Sequence, residues 1–272
     1  MTPGAKNLIT DIAGIKVGHA VNEATRSGVS VIVPDAPAVI AASSFGGGPG
    51  TRETDALTPE TLVNEAHAVV LAGGSVYGLD AASGVTAAMG AEGRGFQTGA
   101  PKPSPIVPAA ILFDMANGGD KDWGNTPPYQ QLGRDAYGAL SRDFALGNMG
   151  AGYGAQAGQL KGGLGSASVA IDGTAKVGAL MAVNSLGSVV DAAGRFWAQA
   201  QALEMDGAPE FGLPALVGQA PKRKARHHQR PERKARPDKR RIAAHVKKFG
   251  HAQKAPASVL ARASCSWRTR RR

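Results

Sequence analysis

The segment HAVVLAGGSVYGLDAASGVTAAMG, residues 67–90, predicts a buried strand, a glycine turn and a helix in direct succession. The strand is the apolar run at 67–71, and the turn is Gly73-Gly74. The helix follows from apolar residues that recur at helical spacing, namely Leu79, Ala82, Val85, Ala88 and Met89. Because the first turn of a helix offers unpaired N–H groups and a partial positive charge, this junction is a favourable place for chemistry.

The rest of the chain alternates strand and helix signals. Strands are predicted at 12–19, 29–33 and 38–42, and helices from Thr58 onward and at 127–140. A hairpin is predicted from strands at 166–171 and 174–183 around Asp172-Gly173, which is typical of a type I′ turn. This mixture predicts an α+β or layered α/β fold.

Composition limits the class of protein. The chain has 272 residues, of which 43% are hydrophobic, so a sizeable core is possible. No apolar run approaches the roughly 18 residues that a membrane span needs, and no signal-peptide pattern begins the sequence. We therefore expect no membrane association and a cytoplasmic location. The single cysteine, Cys265, excludes an intramolecular disulfide framework and a multi-cysteine zinc site.

The net charge of +10 divides sharply along the chain. Residues 1–220 carry 12 Lys and Arg against 19 Asp and Glu, a net −7, whereas residues 221–272 carry 19 against 2, a net +17. We expect one domain over residues 1–218, followed by a basic tail at 219–272 that is disordered or loosely helical.

Ser75 is the first candidate for a catalytic residue. Gly73-Gly74-Ser75-Val76-Tyr77-Gly78 nearly matches the G-x-S-x-G turn of serine hydrolases. That turn needs a small residue two places after the serine, and Tyr77 stands there instead. A serine that opens or caps the helix is the preferred interpretation, and a serine hydrolase that uses Ser75 stays as an alternative.

Metal and cofactor sites have little support. His19 and His67 are the only histidines before the tail, both in strand-like segments, and we interpret them as structural. No metal-binding spacing of His, Asp or Glu occurs, and Gly46–Gly50 lacks the lysine of a phosphate loop, so neither a metal nor a cofactor is expected.

Two further features carry open alternatives. Asn184 ends a predicted strand just before Ser185-Leu186-Gly187, where its amide could donate to a developing oxyanion or satisfy turn backbone. Small residues at every second place in 147–158 could let two backbones pack closely or could line a pocket.

Five short motifs occur in series, at residues 9–19, 50–55, 71–82, 105–114 and 150–158, and Val183-Asn184 follows them. Together they resemble the L-aminopeptidase/D-esterase family, self-processing amide hydrolases that include β-aminopeptidases and nylon-oligomer hydrolase. The resemblance covers residues 7 to about 215. It implies a layered αββα fold and a precursor that cuts itself once. A Ser or Thr then becomes a new N-terminus and attacks the amide, with its own α-amine, of pKa about 8, as base.

The resemblance also implies roles for single residues. Asn184 matches the family asparagine that holds the oxyanion. Phe113 stands where some members have a tyrosine of the site, and Gln159 stands where the nylon-oligomer hydrolase type has a lysine. The implied substrate-binding set is Gly73, Gly74, Ser75, Tyr77, Phe113 and Gln159. The implied partners are a short peptide or related amide as substrate and further copies of the chain in a homo-oligomer.

The tail departs from this pattern. After residue 215 the family pattern has Gly or Asn, then the nucleophilic Ser or Thr and an apolar strand, whereas this chain becomes basic to Arg272. The nucleophile is missing, so we expect a copy that neither cleaves itself nor turns over substrate. Three interpretations of the tail stay open: a shifted reading frame, a basic arm that binds nucleic acid, and a solvated extension without a role.

Overall fold

The computed structural model describes residues 1–45, 48–63, 65–171, 175–191 and 193–198. Residues Met1–Ser188 form one compact unit, and the described residues from Val189 onward belong to a second. In that second unit, Asp191 and Arg195 form an ion pair with an N–O distance of 2.9 Å. The predicted boundary at 218/219, Cys265 and the basic tail lie outside the described residues.

The described residues contain strands β1 to β10 and helices α1 and α2. The strands are Thr2–Pro3, Ile15–Asn22, Ser27–Pro34, Thr51–Arg52, Val69–Ala72, Ala109–Ile111, Gln156–Ala157, Leu160–Lys161, Leu164–Ile171 and Ala175–Ala182. The helices are Ala81–Ala91 and Tyr129–Gly138, and short 3₁₀ helices occupy Ile9–Asp11, Asp55–Leu57, Ser75–Asp80 and Gly150–Gly152.

A five-stranded sheet in the order β2-β3-β5-β6-β4 separates two parts of the core. Because side chains alternate along a strand, Val29, Val31 and Val33 of β3 pack on one side with both helices. Ile32 lies on the other side and packs against the second sheet. Burial of both faces explains the consecutive β-branched residues Val31-Ile32-Val33 of β3.

The second sheet has the order β1-β9-β10 and covers the face of the first sheet opposite the helices. Leu164 of β9 and Leu180 of β10 pack there against Ile15 and Val17 of β2. Over the described residues, the helices and the two sheets therefore form three successive layers, α, β and β, of the αββα arrangement that the resemblance implies. The predicted α+β class with layered sheets is confirmed.

The predicted helices at 79–90 and 127–140 are confirmed as α1 and α2, and the hairpin as β9–β10. Its turn at Asp172-Gly173 lies outside the described residues. The stretch 147–158 packs closely on other backbone: a Cβ added at Gly154 would lie closer than 3.0 Å to the Arg26 carbonyl oxygen.

Two predicted elements are wrong. No helix starts at Thr58. The Thr58 carbonyl oxygen, which would accept the first hydrogen bond of such a helix, accepts instead from the hydroxyl and the N–H of Thr61 at 2.9 and 3.2 Å. No strand forms at 38–42, where only Ala38 makes a bridge, to Ala66. Pro37, which has no N–H to donate, stands just before it.

Candidate active site

The parallel pairing of β5 and β6 places the ends of both strands at one edge of the sheet. Gly73–Ser75 leaves β5 there and residues 112–114 leave β6. The two segments are joined by backbone hydrogen bonds, from Leu112 N to Ala72 O at 2.8 Å and from Ser75 N to Leu112 O at 3.0 Å. Crevices at the carboxyl ends of parallel strands are common ligand sites.

Asn184 reaches this edge from the second sheet, two residues after β10 ends. Its Oδ1 accepts a hydrogen bond from the Phe113 backbone N–H at 2.9 Å. Because an N–H can only donate, this contact orients the amide with its oxygen toward Phe113. Among the described residues none accepts a hydrogen bond from Asn184 Nδ2, so both N–H groups of Nδ2 are available to a ligand.

A cavity of about 250 Å³ is lined by Phe113 and Ser185, the hydrogen-bond partner and the chain neighbour of Asn184, whereas Asn184 itself is not a lining residue. Three segments form it, and the lining residues are Phe113, Asp114, Ala116, Asn117, Gly154, Gln156, Gly158, Ser185, Leu186 and Gly187. Phe113 is 57% exposed and Leu186 is fully exposed, so both offer apolar surface to a ligand. Asp114 is the lining residue that bears a charge, and it is 2% exposed. The cavity therefore suits an uncharged group with apolar surface.

Asp114, one of the cavity-lining residues, belongs to a buried hydrogen-bond network. Its Oδ2 accepts from Ser27 Oγ at 2.6 Å and its Oδ1 from Gly74 N at 2.7 Å. Tyr129 OH donates to Ser27 Oγ at 3.1 Å, and Lys121 Nζ lies 4.0 Å from Asp114 Oδ1. Burial raises the pKa of Tyr129 to about 12 and lowers the pKa of Lys121, against the attraction of Asp114.

The other residues predicted for substrate binding lie around the cavity rather than in its lining. Gly73 and Gly74 are buried next to Asp114. Tyr77 is 46% exposed and packs edge to face on Trp123, with ring centroids 5.4 Å apart. Gln159 is exposed, between β7 and β8, and next to the lining residue Gly158. These assignments stay predictions.

Ser75 opens the 3₁₀ helix that precedes α1, in the left-handed region with φ 53°. Its side chain does not cap the helix, and Oγ has no hydrogen-bond partner within the described residues. Neither His19 nor His67, the histidines among the described residues, is within hydrogen-bond reach to act as base. His67 Nδ1 accepts from Ile106 N at 3.1 Å, and His19 packs on Phe144 with ring centroids 5.4 Å apart.

Both histidines are shifted toward the neutral form. Burial lowers the pKa of His19, and neither of its ring nitrogens has a hydrogen-bond partner among the described residues. Burial and then Arg94 lower the pKa of His67. Over the ranges that the structure describes, no three His, Cys, Asp or Glu side chains gather to hold a metal ion. Neither α1 nor α2 is long and apolar enough to cross a membrane.

Sequence reasoning missed several residues of the cavity lining, and the place of four of them in the sequence is informative. Asp114 closes an apolar run, Asn117 precedes two glycines, and Ser185 and Leu186 sit in a turn. An acidic residue at the end of a buried run is a usable signal for Asp114. The other three are ordinary turn residues, whose role depends on which segments the fold brings together.

This arrangement can be compared with known proteins. Residues 7–220 match the description of peptidase family S58. The chain belongs to this family. An aminopeptidase of Mycobacterium tuberculosis, named as uncharacterised, is 43% identical over 195 residues, which are 69% of this chain and 55% of that protein. A 6-aminohexanoate-oligomer endohydrolase of a Kocuria strain is 33% identical over 158 residues, 58% of this chain and 41% of that enzyme.

Solved structures of the family show the same fold. The L-aminopeptidase D-Ala-esterase/amidase of Ochrobactrum anthropi, described as a variant of the Ntn-hydrolase fold, aligns with a TM-score of 0.54 at 23% identity. That alignment covers 69% of this chain and 55% of the other. A Burkholderia β-aminopeptidase aligns with a TM-score of 0.53, also at 23% identity, over 71% of this chain and 56% of that one. The predicted N-terminal-nucleophile-hydrolase type of fold is confirmed. The S58 chain described here spans about half the length of the curated relatives it matches.

Proposed function

We propose that residues 1–188 are the substrate-binding part of an amide hydrolase of the N-terminal-nucleophile type. Its substrates would be the N-terminal residues of short peptides, or related amides. The proposal rests on the hydrogen bond from Phe113 N–H to Asn184 Oδ1, because that bond leaves Asn184 Nδ2 without an acceptor among the described residues, next in the chain to the cavity-lining Ser185. Membership in a family of peptidases supports the reaction class.

The chemistry follows from the geometry. When a nucleophile attacks an amide carbonyl, negative charge develops on the oxygen, and a preoriented N–H donor stabilises that charge. One such donor contributes about 3–4 kcal/mol to transition-state stabilisation. Asn184 Nδ2 would act as the donor, while Phe113 and Leu186 contact apolar parts of the substrate. The nucleophile would be the hydroxyl of an N-terminal Ser or Thr, with its own α-amine as base.

We infer further that this chain alone neither cleaves itself nor turns over substrate. The family match ends at residue 220, and the chain continues to 272 without a Ser or Thr before an apolar strand. Ser185 lines the cavity, but its hydroxyl donates to Gln156 O at 2.7 Å. It has no base beside it among the described residues.

The experiment is a denaturing gel and an intact-mass measurement of the purified chain, with leucine p-nitroanilide as a chromogenic substrate. We expect one species of 27.7 kDa and no release of nitroaniline. Two fragments, the smaller of which begins with Ser or Thr, would contradict the inference. Release of nitroaniline by the uncleaved chain would contradict it as well.

The binding part of the proposal is tested with an anionic tetrahedral probe, the aminophosphonate analogue of leucine. A hydrogen bond to a charged group contributes about 1.5–3 kcal/mol. Asn184→Ala should therefore lower the affinity for the phosphonate by roughly tenfold or more. Binding of neutral leucine amide should hardly change. Gln131→Ala, on the exposed side of α2, is the matched control and should change neither affinity. Equal phosphonate affinity in wild type and Asn184→Ala would remove the oxyanion role.

A second candidate is a serine hydrolase that uses Ser75. The observation in its favour is the φ of 53° at Ser75, a strained conformation on a strand–turn–helix junction. A comparison of Ser75→Ala with wild type on leucine p-nitroanilide decides it. Activity that disappears in Ser75→Ala would favour this candidate over the first.

A further inference from the structure

Asp114 is a buried carboxylate that the proposed chemistry leaves without a role. Its side chain is 0% exposed, although the residue lies in the cavity wall. A charge at this depth is costly unless hydrogen bonds or an ion pair compensate it. Compensation is present here, from the Ser27 hydroxyl, the Gly74 N–H and the nearby Lys121 ammonium.

These contacts tie distant segments together. Ser27 begins β3, Gly74 follows β5, and Asp114 follows β6, so one carboxylate connects three neighbouring strands at the site edge. Lys121 Nζ also donates to the backbone oxygen of Thr25, which holds the cation at the same place.

The carboxylate is closely packed on the side of two glycines. A Cβ added at Gly73 or at Gly154 would lie closer than 3.0 Å to Asp114 Oδ2. The two glycines therefore flank the carboxylate at close range. Because side chains in such dense packing occupy a single position, the backbone of Asp114 is held with its side chain.

The neighbour of Asp114 in the chain is Phe113, whose N–H orients Asn184. Successive Cα atoms are only about 3.8 Å apart, so a shift of Asp114 is passed to the Phe113 amide. We propose that Asp114 is a positioning residue: by anchoring the chain to Ser27 and Gly74, it places the Phe113 N–H that orients the amide of Asn184. This inference rests on the proposed function.

The chemistry of the anchor requires a carboxylate. Asp114 accepts from two donors, Ser27 Oγ and Gly74 N, and both of its oxygens are used. Asparagine at the same place keeps the shape but turns one acceptor into a donor. That NH₂ group would face either the hydroxyl or the Gly74 N–H, and the charge opposite Lys121 would be lost.

The test compares full-length wild type with Asp114→Asn. The readouts are the side-chain NH₂ signals of Asn184 in ¹⁵N-correlated NMR spectra, hydrogen exchange of the Phe113 amide, and affinity for the aminophosphonate probe. Signals of Asn184 are identified by their loss in Asn184→Ala. We expect Asp114→Asn to shift or broaden the Asn184 signals and to speed hydrogen exchange of the Phe113 amide relative to that of Val31 in β3. The affinity for the aminophosphonate probe should fall about tenfold.

Two controls separate positioning from general destabilisation. Met89→Ala removes a fully buried side chain from the core between helices and sheet, and should lower stability without shifting the Asn184 signals. Asp135→Asn changes an exposed carboxylate on α2 and should change neither the stability nor the Asn184 signals. If Asp114→Asn alters Phe113 exchange and the Asn184 signals no more than Met89→Ala does, Asp114 is only structural and the inference is overturned.

Ser27→Ala serves as the second variant if Asp114→Asn does not fold. It removes one of the two donors and leaves the charge in place, so a smaller shift of the same Asn184 signals is expected. Unchanged signals in folded Ser27→Ala would overturn the inference. A different result is that the wild type binds no phosphonate while the Asn184 signals still respond to Asp114→Asn. That result would refute the proposed function and leave the positioning role of Asp114 in place.

Discussion

Gly74→Ala adds one methyl group where both the backbone and the packing resist it. Gly74 has φ 83°, in the left-handed region that costs a residue with a Cβ about 1–2 kcal/mol. The added carbon would also lie closer than 3.0 Å to ring atoms of Tyr129, whose side chain is fully buried. Overpacking of this kind costs about 1–3 kcal/mol, so the expected loss of unfolding free energy is about 2–5 kcal/mol.

Two other glycines separate these contributions. Gly93 has φ 75° but open space around its added Cβ, so Gly93→Ala should lose only the backbone part, about 1–2 kcal/mol. Gly138 ends α2, has open space and no positive φ, so Gly138→Ala should be neutral or stabilising by up to about 1 kcal/mol.

Urea unfolding followed by tryptophan fluorescence measures all three, because Trp123 packs on Tyr129 with ring centroids 5.8 Å apart. The Gly74→Ala variant should unfold with its midpoint at a clearly lower urea concentration than the Gly93→Ala variant. Equal unfolding free energies for these two variants would show that the Tyr129 ring moves freely. The packing of the site edge described above would then be refuted.

Three further predictions concern the core, pH and the tail. Met89→Ala should lose about 2–5 kcal/mol in urea unfolding, against less than about 0.5 kcal/mol for Met181→Ala, which is 45% exposed; similar losses would contradict the packing of α1. Because burial lowers the pKa of His19 in the folded state, the unfolded state binds more protons below about pH 6.5, so unfolding free energy should fall as the pH drops through that value. A His19→Leu variant with the same pH slope would count against this cause. The +17 charge of residues 221–272 should make duplex DNA binding salt-sensitive, with an affinity that falls by about 10³-fold or more between roughly 50 and 200 mM salt in a filter-binding assay; a flat salt profile would exclude the tail as a phosphate-binding arm.

Local patterns in the sequence predicted much of the fold. The apolar residues from Leu79 to Met89 repeat at helical spacing, and α1 forms there because they all reach the same core. The β9–β10 hairpin is equally local. By contrast, Thr58-Pro59-Glu60 has the chemistry of a helix start but no helix, since the Thr61 hydroxyl binds the Thr58 carbonyl oxygen that the first helical turn would use.

The candidate site was only partly predictable for a different reason. Asn184 stood out as an amide at the end of a strand, but the direction of that amide depends on Phe113, 71 residues earlier. The bond between Ser27 and Asp114 joins residues 87 apart. Neither pairing leaves a periodic trace in the sequence, because each exists only after the sheets have assembled.

The pairing of β1 with β9 has a consequence for how the chain matures on the ribosome. Thr2 is in register with Ala170, and Ile9 N donates to Ser166 Oγ, so residues near the start of this unit find their partners among residues that are synthesised much later. At about 5–20 residues per second, the nascent amino-terminal segment waits on the order of 10–30 s for them. During that interval the inner face of β2 is open to chaperones, and slower translation would lengthen the exposure.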